Sequence, residues 1–131
     1  MWKHLPLSIH ENAMSAALAA EAARNQNKFW EYHDKLFANQ ARLGMDDLKQ
    51  YAKELRLDVP RFEKDMLEPD TKKKVEADVA EARTLDVSVT PSTFINGRFV
   101  RGAQPFETFS KIIDEELTKL NLPVPSKPSS N

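Results

Sequence analysis

Hydrophobic and polar positions change their period along the chain, and the changes mark its parts. Trp2 to Leu7 alternates imperfectly over a short run and predicts a strand. Ser8 and Glu11 have capping-box spacing, in which each side chain satisfies an amide at a helix start. The alanine-rich run from Ala13 through Ala23 then predicts a closely packed helix. Asn27 is placed to cap a second helix, with Phe29, Trp30, His33, Leu36 and Phe37 on one face. Asp46 is placed to cap a third, striped by Leu48, Tyr51, Ala52 and Leu55. Asp58-Val59-Pro60 opens a short fourth helix carrying Phe62 and Met66, with proline in the tolerated first turn. Thr71 starts a fifth, with Val75, Val79 and Ala82 inward and charges outward.

The period then shortens. Val89 to Ile95 is rich in β-branched and aromatic residues, and Arg98-Phe99-Val100-Arg101 follows after Asn96-Gly97. Asn-Gly between two such runs predicts a β-hairpin, because a type I′ turn needs positive φ at both central positions. Pro105 enters a last helix whose buried face is predicted to hold Phe106, Phe109, Ile112, Ile113, Leu117 and Leu120. Residues 121–131, with three prolines and several serines, predict a disordered tail. The expected fold class is α/β (α+β), with a small mixed sheet and an inserted helical subdomain at about 11–86.

Composition narrows the chemistry. The chain has 131 residues, enough for one domain with a core, and 40% hydrophobic against 30% charged residues is an ordinary globular balance. A net charge of −1, with both signs mixed, argues against nucleic acid as a partner. Lys72-Lys73-Lys74 reads as a solvated helix face. No apolar stretch is long enough for a membrane span, and none resembles a signal peptide, so no membrane partner is expected. Cysteine is absent, which removes disulfides, thiolate metal sites and any thiol nucleophile. His4, His10 and His33 show no partner at metal-ligand spacing, so neither metal nor cofactor is expected. Trp30 and Tyr32 read as core aromatics.

Three stretches resemble the DsbA-like thioredoxin family of thiol:disulfide oxidoreductases. These are Trp2-Lys3-His4-Leu5-Pro6-Leu7-Ser8, the aromatic helix from Asn27 to Phe37, and Thr90-Pro91-Ser92-Thr93-Phe94-Ile95-Asn96-Gly97-Arg98 followed by Gly102-Ala103-Gln104-Pro105-Phe106. The resemblance implies a partial thioredoxin-like domain over 1–120, corresponding to the C-terminal part of the family fold. It lacks the N-terminal strand and the helix whose start carries Cys-x-x-Cys.

The same resemblance implies a cis peptide bond at Thr90–Pro91 and a substrate-binding loop of Val89, Thr90 and Pro91. There the backbone before the proline pairs with an extended polypeptide substrate. Val89 departs from the small residue many relatives carry. No residue is assigned a catalytic role, and the chain alone is expected to be redox-inactive. In the family sheet the absent strand separates the strands matching Trp2–Leu7 and Thr93–Asn96, so its loss leaves them two spacings, roughly 9.5 Å, apart. A missing N-terminal segment or a second copy, in a strand-exchanged or edge-paired dimer, is expected to complete the sheet. The alternative is a natural cysteine-free binding or scaffold protein acting as a dimer. By resemblance alone the compartment is the bacterial periplasm or otherwise extracytoplasmic.

Overall fold

A computed structural model describes residues 1–125. Six helices and one hairpin follow in the order α1 (Ala13–Arg24), α2 (Phe29–Ala38), α3 (Met45–Glu54), α4 (Val59–Leu67), α5 (Pro69–Thr84), β1 (Ser92–Ile95), β2 (Arg98–Arg101) and α6 (Phe106–Lys119). They fall into two compact units, Met1–Asp86 and Val87–Asn131.

The first unit is a helical bundle built around α1. Alanine leaves room for neighbouring backbones, and Ala19, Ala22 and Ala23 are fully buried. Tyr32, Leu48 and Phe62, also fully buried, close the core around them. Each such large side chain contributes about 1.5–3 kcal/mol through burial. Burial pushes the Tyr32 hydroxyl pKa up, so it stays protonated and donates to the Leu48 carbonyl at 2.8 Å.

The helix starts differ from the expected ones in instructive ways. Asp58 caps α4 as expected, its carboxylate accepting from the Arg61 amide at 3.0 Å. Asn27 caps nothing. It takes φ +58° just after α1, and the Lys28 amide beside it returns to the Ala23 carbonyl. Asparagine tolerates this left-handed conformation, which ends helices. Gly44, not Asp46, is the N-cap of α3, and Asp46 lies in the first turn, where the helix dipole favours a carboxylate. Helix α5 starts at Pro69 instead of Thr71. The Ser8–Glu11 capping box does not form: those residues belong to turns, and α1 begins at Ala13 after Asn12.

The expected strand Trp2–Leu7 is also absent. A strand exists only by pairing, and no described residue pairs with this segment. Side chains anchor it to α5 instead, through Lys3 to Asp78 and Glu81 and through the His4 amide to Asp78. The sheet is therefore a two-stranded antiparallel hairpin, not a mixed sheet.

In the second unit the predicted hairpin forms with its turn at Asn96 (φ +48°) and Gly97 (φ +83°). Helix α6 corrects the expected buried face. Phe106, Ile113 and Leu120 are exposed at 78%, 44% and 57%, and Phe109, Ile112 and Leu117 are half-buried. The one buried residue of α6 is Glu116. Of the expected tail, residues 126–131 lie outside the described residues.

Candidate functional site

The phase of the hairpin ladder decides which backbone groups of β1 are free. In an antiparallel pair, residues alternate between exchanging hydrogen bonds with the opposite strand and turning those groups outward. With Ile95 opposite Arg98 across a two-residue turn, Ile95 and Thr93 face β2. The ladder continues one step beyond the strand, where the Gly102 amide donates to the Pro91 carbonyl at 2.9 Å. The amides and carbonyls of Ser92 and Phe94 therefore point away from β2. No other strand lies there among the described residues.

The loop leading into this edge is ordered by its own contacts. The Thr90–Pro91 peptide bond is cis, and both residues are exposed. The Ser92 hydroxyl donates to the Val89 carbonyl at 2.6 Å and folds the loop back on the strand start. Val89 is half-buried. The structure thus brings Val89, Thr90 and Pro91 together at the head of an open strand edge.

The two sides of the hairpin differ. Thr93, Ile95, Arg98 and Val100 share one face, and Val100 is buried. From that face Arg98 reaches Glu115 and Glu116 on α6, while Asn96 in the turn donates to Glu116 at 2.7 Å. Lys119 also donates to Glu116, at 2.6 Å. The bonds from Lys119 first, then Asn96 and Arg98, hold the Glu116 pKa down at about 2. The other face carries Phe94 and Phe99, 43% and 46% exposed, with ring centroids 5.1 Å apart.

The helical unit offers polar groups that the sequence reading left unpartnered. His4 is buried and lies 2.9 Å from Glu21, which also accepts from Arg24 at 2.8 Å. Burial raises the Glu21 pKa, but the bonds from His4 and Arg24 outweigh it and leave the carboxyl below its ordinary value. A pocket of about 310 Å³ opens beside this group, lined by Trp2, Glu21, Arg24, Lys74, Ala77 and Asp78. Its carboxylates are already engaged by His4, Arg24 and Lys3. His33 packs among Phe29, Trp30 and Phe37 as expected, with Trp2 added at 4.5 Å between ring centroids. Its Nδ1 lies 2.9 Å from Asp34, and its Nε2 is buried without a partner. Trp30 is no core residue, at 57% exposure. No cluster of metal-ligating side chains occurs among the described residues.

Comparison with known proteins fits the hairpin and helix order. Residues 2–115 match the protein family described as Thioredoxin. The chain belongs to the DsbA-like thioredoxin family.

A solved relative shares the fold of this DsbA-like chain. A thioredoxin-like oxidoreductase from Silicibacter pomeroyi DSS-3 superposes with a TM-score of 0.80 at 25% identity, over 88% of this chain and 66% of that one. Curated relatives include the Na(+)/H(+) antiporter NhaA 3 of Salinispora tropica and NhaA 1 of Salinispora arenicola, each 41% identical over 114 residues. The NhaA antiporter of Herminiimonas arsenicoxydans is 38% identical over 112 residues. The match takes in 86% of this chain but only 18% of each antiporter's length.

Two residues of the edge, Ser92 and Phe94, went unassigned in the sequence reading. Their signal was present: once Asn96-Gly97 sets the turn, counting back in twos gives every outward residue of β1.

Proposed function

We propose that this chain is the polypeptide-holding part of a DsbA-like domain and binds an extended segment without turning over disulfides. The observation that carries this reading is the open β1 edge running directly into the exposed Thr90–Pro91 loop. Thr90 offers its amide and carbonyl to the incoming backbone, and Val89 and Pro91 flank it. This is strand addition, in which main-chain hydrogen bonds supply affinity with little dependence on side chains. The bound class is therefore extended polypeptide in general. With no cysteine in the chain, thiol exchange has no nucleophile here. In a longer DsbA-like oxidoreductase the cysteines would lie outside this sequence, with the helical unit serving as the cap.

The antiporter relatives support a related second reading. A thioredoxin-like stretch amounting to 18% of proteins named for ion exchange favours a binding or scaffold role over a free-standing redox enzyme.

Titrating the ¹⁵N-labelled chain with a reduced, alkylated unfolded protein tests the reading. Amide shifts should concentrate on Val89, Thr90, Ser92 and Phe94, with Thr93 and Ile95 moving less. Shifts confined to other regions, or none at about millimolar ligand, would refute it. Insulin reduction by the same chain should be nil, and measurable turnover would overturn the redox-inactive assignment.

A further inference from the structure

We propose that a second copy of this chain pairs with the β1 edge, joining two hairpins into a four-stranded antiparallel sheet in the order β2-β1-β1-β2. This rests on the reading of β1 as a strand-accepting edge and names one partner for it.

The two edges of the hairpin are not equivalent. Arg98 and Arg101 stand at the ends of β2, and charges on an edge discourage further pairing. From Val89 to Ile95 there is no charged residue at all. Two copies can therefore approach along β1 without like-charge contact, and a net charge of −1 per chain adds little repulsion.

The edge is also complementary to itself. A two-fold axis through Ser92 sets Ser92 against Ser92 of the partner subunit, with their outward amides and carbonyls exchanging bonds. Thr90 then lies opposite Phe94 of the partner subunit, and Phe94 opposite Thr90 of the partner subunit. An aromatic against a β-branched side chain is a favourable cross-strand pair. Pro91 falls opposite Thr93 of the partner subunit at a position where neither residue bonds across the new interface, so its missing N–H costs nothing there. Such an axis keeps like faces together. The Phe94 and Phe99 rings of both copies, now half-exposed, then lie on the same face of the joined sheet, with Ser92 and Arg101 between the two aromatic pairs. The edge is short, so the affinity falls in the micromolar range of small interfaces.

The absence of native cysteine makes a direct test available. Residues at such a bonded pair have Cα atoms about 5.5 Å apart, inside the roughly 4.4–6.8 Å span of a disulfide. Ser92→Cys should oxidise to a covalent dimer on a non-reducing gel, while Phe99→Cys, on the far strand, should remain largely monomeric. Equal cross-linking of the two variants, or none in either, would overturn the proposal. Sedimentation of the unmodified chain should show a mass rising with concentration from 14.9 kDa toward twice that value. Ser92→Lys, which puts two ammonium groups face to face, should hold it at the lower mass with an unchanged circular dichroism spectrum. A native chain that stays monomeric up to about 100 µM, above the expected micromolar affinity, rejects the dimer. The polypeptide-binding reading would then stand or fall on its own titration.

Discussion

The helical unit and the hairpin unit solve the same problem to different degrees. In Met1–Asp86, helix α1 buries its alanine face at Ala17, Ala19, Ala20, Ala22 and Ala23, and Tyr32, Leu48 and Phe62 have no exposed surface. In Val87–Asn131, the hydrophobic residues that reach burial are Val87 and Val100. Phe94, Phe99, Phe106, Ile113 and Leu120 all keep more than 40% of their surface in solvent. Helices satisfy their own backbone groups, so five of them need only bury their stripes. A hairpin leaves two edges and two faces to cover. α6 closes one face, through Glu116 more than through its apolar residues. The unit with unfinished surfaces is also the one that carries the exposed Thr90–Pro91 loop.

The sharpest way to break this contrast is to hollow the helical core. Phe62→Ala should cost about 3–5 kcal/mol, read as a lower urea midpoint by tryptophan fluorescence, since Trp2 and Trp30 both lie in that unit. A loss below about 1 kcal/mol would mean the core collapses around the gap and is looser than its burial suggests.

An intermediate effect is expected at Glu116, the polar link between hairpin and α6. Its carboxyl has a lower pKa in the folded chain than the usual 4.5, at about 2. The unfolded state therefore binds the proton first as pH falls. The stabilisation is complete above the ordinary carboxylate range and is lost as pH drops from about 4.5 toward 2. Glu116→Gln should destabilise the hairpin unit at neutral pH and flatten that acid limb, measured by amide hydrogen exchange of Thr93 and Val100. An unchanged acid limb would place the pH dependence elsewhere.

The smallest effect belongs to α6's solvent side. Phe106→Ala, at 78% exposure, should shift stability by no more than about 0.5 kcal/mol in hydrogen exchange of the α6 amides. A loss comparable to that of Phe62→Ala would show that α6 is covered in solution.

Much of this was legible in the residues. The turn at Asn96-Gly97 was, because few residue pairs accept two positive φ values in succession. So was the cap at Asp58, which acts on an amide three residues away. The loop at Thr90-Pro91 followed from resemblance. The His4–Glu21 pair was not legible, because 17 residues of separation carry no local signal and only packing brings the two together. The strand at Trp2–Leu7 failed for the same reason in reverse: its alternation is local, but a strand requires a neighbour.

The sequence by itself determined the helices, the hairpin and its phase, and the absence of thiol chemistry. Each depends on residue type at short range, or on a residue type being missing altogether. Only tertiary structure decided that Trp2–Leu7 is held by Asp78 and Glu81, that Glu116 anchors α6 and that the β1 edge is open. Burial, long-range ion pairs and strand neighbours are properties of the folded arrangement, and local periodicity does not encode them.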